Sequence, residues 1–294
     1  MDVINLNPTT MKKICFISLL AIPGVVIQSR AQESSIQFSV GYGFSSGSQK
    51  ISEESVYMSS ATAGSSTTSG IYGSYGAGTN VSASFTRMFS KHMGLDLSAS
   101  YLFGKEYIAK NTFTSSSSSS TSTSSASSTG FFLSPTLVLQ AGEGKMKPYM
   151  KMGFALGFVS LDGSNKSTNV SSGTTQVSSM KVELSGGTSF GFRGGFGVSF
   201  EGTKKVGFFT ELLLTSMTYY PLEGKLAEST LNGVDQLPSI PVSAKQTVYK
   251  TEITSNSTSL PATSQPSEVI QPSFALGSIS VNVGMKIRLG GAKE

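Results

Sequence analysis

The sequence predicts an all-β fold, a closed up-and-down antiparallel transmembrane β-barrel of eight strands. Three observations predict it. Only 13% of the 294 residues are charged, whereas about 25% is ordinary for a soluble domain. Eight segments alternate between bulky apolar and small residues, with lengths near the roughly 9 to 11 residues of a tilted membrane strand. Short and long connections between these segments also alternate.

The first segment shows the two-residue period most clearly. Ile36, Phe38, Val40, Tyr42 and Phe44 alternate with glutamine, serine and glycine. Because successive side chains of a strand point to opposite faces, this segment has one bulky apolar face and one small polar face. The same alternation recurs in seven later segments, with Phe209 and Leu213 interrupting the sixth of them: Val81–Thr86, Leu95–Phe103, Leu133–Gln140, Met150–Phe158, Ser189–Phe200, Val206–Leu214 and Ile279–Leu289.

The connections predict the up-and-down order. Three are short and charged, at Ser90–His92, Gly142–Lys145 and Glu201–Lys205. Four are long and rich in serine and threonine, near residues 46–78, 105–129, 160–183 and 221–272. We expect disorder there because they bury little apolar surface, but the apolar residues of the longest one, such as Leu231 and Val242, suggest that part of it forms a hairpin or cap. Short turns on one side and long loops on the other place both chain ends on the short-turn side. A ten-stranded count, using Ile71–Tyr75 or Thr247–Ile253, is the alternative.

The polar row decides which face lies inside. A soluble β-sandwich would carry Lys, Glu, Asp and Arg on its outward row, but here that row consists mainly of glycine and serine. Small side chains suit the interior of a narrow barrel, which places the bulky row against lipid. Barrel closure also removes the unpaired strand edges that hydrocarbon does not tolerate. A secreted soluble β-rich adhesin is the alternative, and it would fractionate without detergent.

Residues 1–31 resemble a secretory signal peptide in organisation. Lys12 and Lys13 precede the apolar run Ile14–Ile27, and Ser29-Arg30-Ala31 provides a small-x-small cleavage site. Met11 is a candidate start, and residues 32–294 then form the barrel domain. The single cysteine, Cys15, lies within the signal, so the mature chain offers neither disulfides nor thiol chemistry.

The segments Lys147-Pro148-Tyr149, Gly191–Gly197 and the final strand to Leu289, together with the alternating rows, resemble the eight-stranded outer-membrane β-barrel family. This family includes the OmpA transmembrane domain, OmpX and the opacity-type surface proteins. The resemblance implies a place in the outer membrane of a Gram-negative bacterium, with periplasmic termini and extracellular loops. It also implies three partners: outer-membrane lipid, the barrel-insertion machinery during biogenesis, and an external or host ligand at the loops.

Six ionisable residues share the parity of the small row. They are Asp96, Lys151, Arg193, Glu211, Lys286 and Arg288. If Phe200 pairs with Val206, Arg193 and Glu211 become diagonal neighbours and form an ion pair. Buried charges are costly unless paired, and the resemblance implies a lumen closed by such a network. The alternative is a narrow channel for small solutes or anions, because four basic residues oppose two acidic ones.

The sequence offers no enzymatic constellation. Its one histidine, His92, lies in a short turn on the side opposite the long loops, and no cysteine remains after signal cleavage, so ordinary zinc sites and cofactors are not expected. Gly191–Gly197 lacks the Lys-Ser/Thr of a phosphate-binding loop. A net charge of +5 without a basic stripe argues against nucleic acid. The leading hypothesis is a non-enzymatic surface protein with a structural or adhesive role through its long loops.

Overall fold

The computed structural model describes residues 33–47, 49–59, 63–142, 144–203, 205–254 and 262–289. Seventeen strands occur in these residues: β1 (Glu33–Ser45), β2 (Gln49–Ser59), β3 (Gly64–Gly73), β4 (Gly78–Met88), β5 (Met93–Gly104), β6 (Tyr107–Thr114), β7 (Ser118–Gln140), β8 (Met146–Ser171), β9 (Thr174–Ser185), β10 (Ser189–Glu201), β11 (Val206–Tyr219), β12 (Glu223–Leu231), β13 (Val234–Asp235), β14 (Gln246–Lys250), β15 (Ser267–Ile270), β16 (Phe274–Ala275) and β17 (Ser278–Leu289). The predicted signal peptide, residues 1–31, lies outside the described residues.

Two short helical segments complete the described elements, a 3-10 turn at Leu237–Ser239 and an α-helical turn at Val242–Lys245. No helix in the described ranges has the length and apolarity needed to cross a membrane.

Eight strands pair in a closed ring in the order β1, β4, β5, β7, β8, β10, β11 and β17, and β17 pairs again with β1. Every pairing in this ring is antiparallel. These eight strands, which we call the barrel, contain the eight segments that the alternation predicts. The segments considered for a ten-stranded count do form strand, in β3 and β14, but both lie outside the ring.

The ends of the barrel differ as the connection lengths predict. The short connections β4–β5, β7–β8 and β10–β11 lie at one end, which we call the turn end. The first and last barrel strands meet there, because Ser34 lies opposite Leu289. The long connections lie at the other end, the loop end.

The long connections contain strands where their composition predicts disorder. β7 and β8 continue beyond the barrel and stay paired as far as Ser118 and Ser171. Around them a second sheet, the outer sheet, is ordered β3-β2-β6-β7-β8-β9-β12-β14-β15, with β13 paired to β12. Backbone pairing and serine contacts such as Ser125 Oγ to Ser164 Oγ, 2.9 Å, order these segments without an apolar core.

The two side-chain rows of the barrel point in the predicted directions. Bulky residues point outward and stay exposed, for example Phe44 at 58%, Phe196 at 65% and Val283 at 55%. Small and polar residues point inward, and Ser134 and Asn282 are almost fully buried. The distribution of side chains in the barrel is therefore the reverse of that in a soluble domain, with apolar residues outside and polar residues inside.

Candidate functional site

A cluster of charges occupies the centre of the barrel. β5, β8 and β11 each contribute one charged side chain to this cluster: Asp96, Lys151 and Glu211. The ammonium group of Lys151 lies 3.6 Å from Asp96 Oδ2 and 3.4 Å from Glu211 Oε2. All three residues are buried, and their charged groups form one cluster.

Neutral side chains also donate hydrogen bonds to both carboxylates. Thr86 Oγ1 donates to Asp96 Oδ1 at 2.6 Å, and Gln37 Nε2 donates to Thr86 Oγ1 at 2.9 Å. The phenol of Tyr149 donates to Glu211 Oε2 at 3.0 Å. Lys151 Nζ also donates to Gln37 Oε1 at 3.4 Å. Because these partners satisfy the buried charges, the network braces the barrel across several strands.

Arg193 lies on the inward face, but the predicted Arg193–Glu211 ion pair is not formed. Phe200 lies opposite Phe208 rather than Val206, so Arg193 lies opposite Thr215. Its guanidinium instead donates to Ser134 Oγ at 3.2 Å and to Ser100 Oγ at 3.5 Å.

The β10–β11 turn accounts for this two-residue shift in register. The amides of Gly202 and Thr203 both donate to the carbonyl of Val206, and Val206 N donates to Thr203 Oγ1 at 3.0 Å. The backbone groups of Val206 are therefore used in the hydrogen bonds of the turn. The first residue pair between β10 and β11 after the turn is Glu201 with Gly207.

A second charged layer lies at the turn end. Lys286 Nζ lies 3.2 Å from Glu33 Oε1, and Arg288 contacts Glu33 at 3.1 Å and Glu201 at 2.9 Å. Lys147 also pairs with Glu201. The sequence predicted inward positions for Lys286 and Arg288. Three further inward residues were missed, although the same alternation places them there: Glu33, Lys147 and Glu201. With these three residues the inward row has five basic and four acidic side chains, so the excess of cations falls from two to one.

The lumen contains three small cavities between its inward side chains. Two cavities of 20 Å³ lie beside Lys151, and one of 40 Å³ lies beside Arg193. Because about 10 to 15 Å³ is needed for one water molecule, each of these cavities has room for one to a few waters. None of these three cavities has room for a larger solute.

An apolar plug, missed by the sequence analysis, fills the loop end of the barrel. Tyr75 and Leu276 enter from two connections and pack among buried residues that include Tyr219 and Met217. Tyr75 N donates to the Ala275 carbonyl at 2.9 Å, and Ser74 Oγ donates to the same carbonyl at 3.0 Å. The plug therefore closes the lumen at the end opposite the second charged layer.

The outer sheet is the main surface beyond the barrel. None of residues 118–127, 162–171 or 174–185 is buried, so the central strands form a single layer with two accessible faces. The sheet ends at two edge strands, β3 and β15, each of which has one paired neighbour. Such a layer offers a broad polar contact surface.

Potential metal ligands do not cluster in the described part of the chain. No group of three or more His, Cys, Asp or Glu residues there could hold a metal ion. His92 is exposed in its turn, with Nδ1 3.1 Å from the Gln140 carbonyl.

Comparison with solved structures finds likenesses of low similarity, and two of them are bacterial proteins. One is the crystal structure of Neisserial surface protein A (NspA), at 10% identity and a TM-score of 0.37, over 88% of this chain and 99% of that chain. The other is Ail, the attachment invasion locus protein of Yersinia pestis, at 10% identity and a TM-score of 0.28, over 87% and 99%. No protein-family model matches the chain, and no curated protein matches it. The fold assignment rests on the closed ring of strand pairings.

Proposed function

We propose that this chain is a non-enzymatic outer-membrane β-barrel of a Gram-negative bacterium that displays its outer sheet to the exterior. The observation that carries the proposal is the exposed apolar band around a polar, charge-paired interior. Large apolar patches are rare on soluble monomers and mark contact with lipid or protein. A band that follows all eight strands of a closed ring fits lipid.

The height of the band supports this proposal. From Phe190 to Phe200 the outward row of β10 spans about 33 Å along the strand, at about 3.3 Å per residue. With a tilt of about 40°, this corresponds to about 25 Å along the barrel axis, the usual height of the apolar band of outer-membrane barrels. Aromatic residues near the loop end, including the stacked pair Phe154 and Phe190 at 5.4 Å, suit the membrane interface.

The closed lumen favours an anchoring role over transport. Both charged layers and the apolar plug obstruct the barrel axis, and the remaining cavities do not exceed a few waters. We therefore assign the structural role to the barrel and the binding role to the outer sheet, with the termini in the periplasm.

Site-specific labelling tests the location and the orientation together. The only cysteine, Cys15, lies in the predicted signal, so a single introduced cysteine gives one reporter. Thr121→Cys lies in the outer sheet and Lys205→Cys at the turn end. We expect a membrane-impermeant maleimide to label Thr121→Cys on intact cells, and to label Lys205→Cys only after the outer membrane is opened.

Fractionation and gel mobility complete this test. The folded protein should remain with outer membranes and change its electrophoretic mobility on boiling, as closed barrels do. Recovery in the aqueous supernatant without detergent would contradict the membrane assignment. Labelling of Lys205→Cys on intact cells would reverse the orientation.

A further inference from the structure

The two faces of the outer sheet differ in charge. Across β6, β7, β8 and β9, every Asp, Glu, Lys and Arg of the outer sheet lies on one face, the charged face: Lys110, Asp162, Lys166, Lys181 and Glu183. The hydrogen bond to Glu183, and then the charge of Asp162, raise the pKa of Lys181. The charged face is therefore partly neutralised by its own pairs.

The opposite face carries none of these charges, and we call it the neutral face. It continues the inward row of β7 and β8 beyond the barrel, because both strands keep one register from Ser118 to Gln140. Its side chains between β2 and β9 include Glu53, Ser55, Tyr57, Asn111, Phe113, Ser120, Ser122, Ser124, Asn165, Ser167, Asn169, Gln176, Ser178 and Met180.

In each of three asparagines on the neutral face, hydrogen bonds fix one of the two polar atoms of the side-chain amide. Asn111 Oδ1 accepts from the backbone N and the Oγ of Ser55, at 2.8 and 2.9 Å. Asn165 Nδ2 donates to Ser122 Oγ at 2.9 Å and to Ser124 Oγ at 2.8 Å. Asn169 Oδ1 accepts from Ser120 Oγ.

The other end of each amide remains open toward solvent. Among the described residues, Asn111 Nδ2, Asn165 Oδ1 and Asn169 Nδ2 have no protein hydrogen-bond partner. The neutral face therefore presents fixed donors and a fixed acceptor.

Two aromatic rings lie beside these amides. Tyr57 and Phe113 stack with ring centroids 5.2 Å apart and an interplanar angle of 4°. Both are more than one-third exposed although no apolar core lies beneath them. Aromatic side chains supply large contact area at low entropic cost. An exposed stacked pair beside oriented amides is suited to a ligand with both apolar and hydroxyl surfaces.

We propose that the neutral face binds an uncharged oligosaccharide. Sugar hydroxyls both donate and accept hydrogen bonds, as the amides and serine hydroxyls of this face do, and the C–H face of a sugar ring packs on an aromatic ring. On β2 this face also carries Glu53 and Lys50, but they pair with each other at 2.7 Å. The face therefore offers no uncompensated cation for a sialylated or sulfated glycan, whose desolvation would be costly there. This inference rests on the proposed function, which brings the neutral face to the cell exterior.

The test compares matched variants on the two faces of the same strands. Tyr57→Ala and Asn165→Leu alter the neutral face. Val56→Ala and Lys166→Gln alter the adjacent positions on the charged face. The purified, refolded barrel is applied to an array of neutral, sialylated and sulfated oligosaccharides, and the affinity for any neutral hexose oligosaccharide bound is measured by calorimetry.

We expect binding to neutral glycans, reduced at least tenfold by each neutral-face variant and less than twofold by each charged-face variant. The array carries both host-type lactosamine chains and bacterial polysaccharide repeats, which separates the two sources. Binding confined to acidic glycans, equal losses in both pairs of variants, or no binding by a correctly folded barrel would each overturn the inference. The proposed membrane location is tested separately by cysteine labelling, so the two failures are distinguishable.

Discussion

Removing the central cation of the lumen should destabilise the barrel strongly. Lys151 lies 3.6 Å from Asp96 and 3.4 Å from Glu211. At an effective dielectric constant of about 20, each contact contributes about 5 kcal/mol of gross attraction, which desolvation largely offsets. In Lys151→Met the two carboxylates remain buried without their cation. Breaking a buried pair in this way costs about 3 to 5 kcal/mol.

The measurement is urea unfolding in lipid vesicles, followed by the heat-modifiable gel shift. With a slope of about 2 kcal/mol per molar urea, we expect the midpoint to fall by about 2 M. The exposed turn residue Lys205 provides the control, and Lys205→Met should change stability by less than about 0.5 kcal/mol. The triple change Asp96→Asn, Lys151→Met and Glu211→Gln should recover part of the loss, because it removes both unpaired carboxylates while the Arg193 guanidinium keeps its hydrogen bonds to Ser134 and Ser100. If the urea midpoint of Lys151→Met lies within roughly 0.5 M of the wild-type midpoint, which is about the error of such measurements, the reasoning about the buried network is refuted.

Three further predictions use the same unfolding assay or a conductance assay. Phe196→Arg should cost about 2 to 4 kcal/mol in a bilayer because it places a charge in the lipid-facing band, and an equal loss in Phe196→Leu would contradict this. Gly41→Val should cost about 1 to 3 kcal/mol, since a Cβ there overlaps the Asn282 amide oxygen, whereas Gly43→Ala should cost less because its nearest contact is 3.3 Å away. Tyr75→Ala should destabilise the protein by about 3 to 5 kcal/mol, because it removes a buried aromatic side chain from the plug. The variant should still give no steady conductance steps in planar bilayers, because the charged layers continue to fill the lumen. Large steps with the wild-type protein would instead show an open channel.

The barrel strands could be predicted because their signal is local. Side-chain alternation follows from strand geometry alone, so Phe38 and Phe196 identify the outward row without any knowledge of their neighbours. The inward positions of Asp96, Lys151 and Glu211 follow from the same parity. The Arg193 partner could not be predicted, because the bonds among Gly202, Thr203 and Val206 set the register.

The plug and the outer sheet were missed for different reasons. Tyr75 and Leu276 are far apart in sequence and lie in irregular segments, so no periodic pattern links them. The strands of the outer sheet bury little apolar surface, and the composition of segments such as Ser118–Ser125 therefore predicts disorder. Their order comes from backbone pairing with neighbours and from side-chain bonds such as Asn165 to Ser122, which composition does not reveal.

The length of the β7–β8 hairpin has a mechanical consequence. Both strands run without interruption from the turn end to the tip of the outer sheet, and their ladder extends from Gln140 opposite Tyr149 to Ser118 opposite Ser171. Ladder hydrogen bonds lie perpendicular to the strands. Tension applied at the tip along the strand axis therefore shears the ladders that join β7 to β5 and β8 to β10, and it loads many of their bonds at once instead of opening them one by one. A cell held through this hairpin would be tethered in the direction in which a β-ladder resists force best.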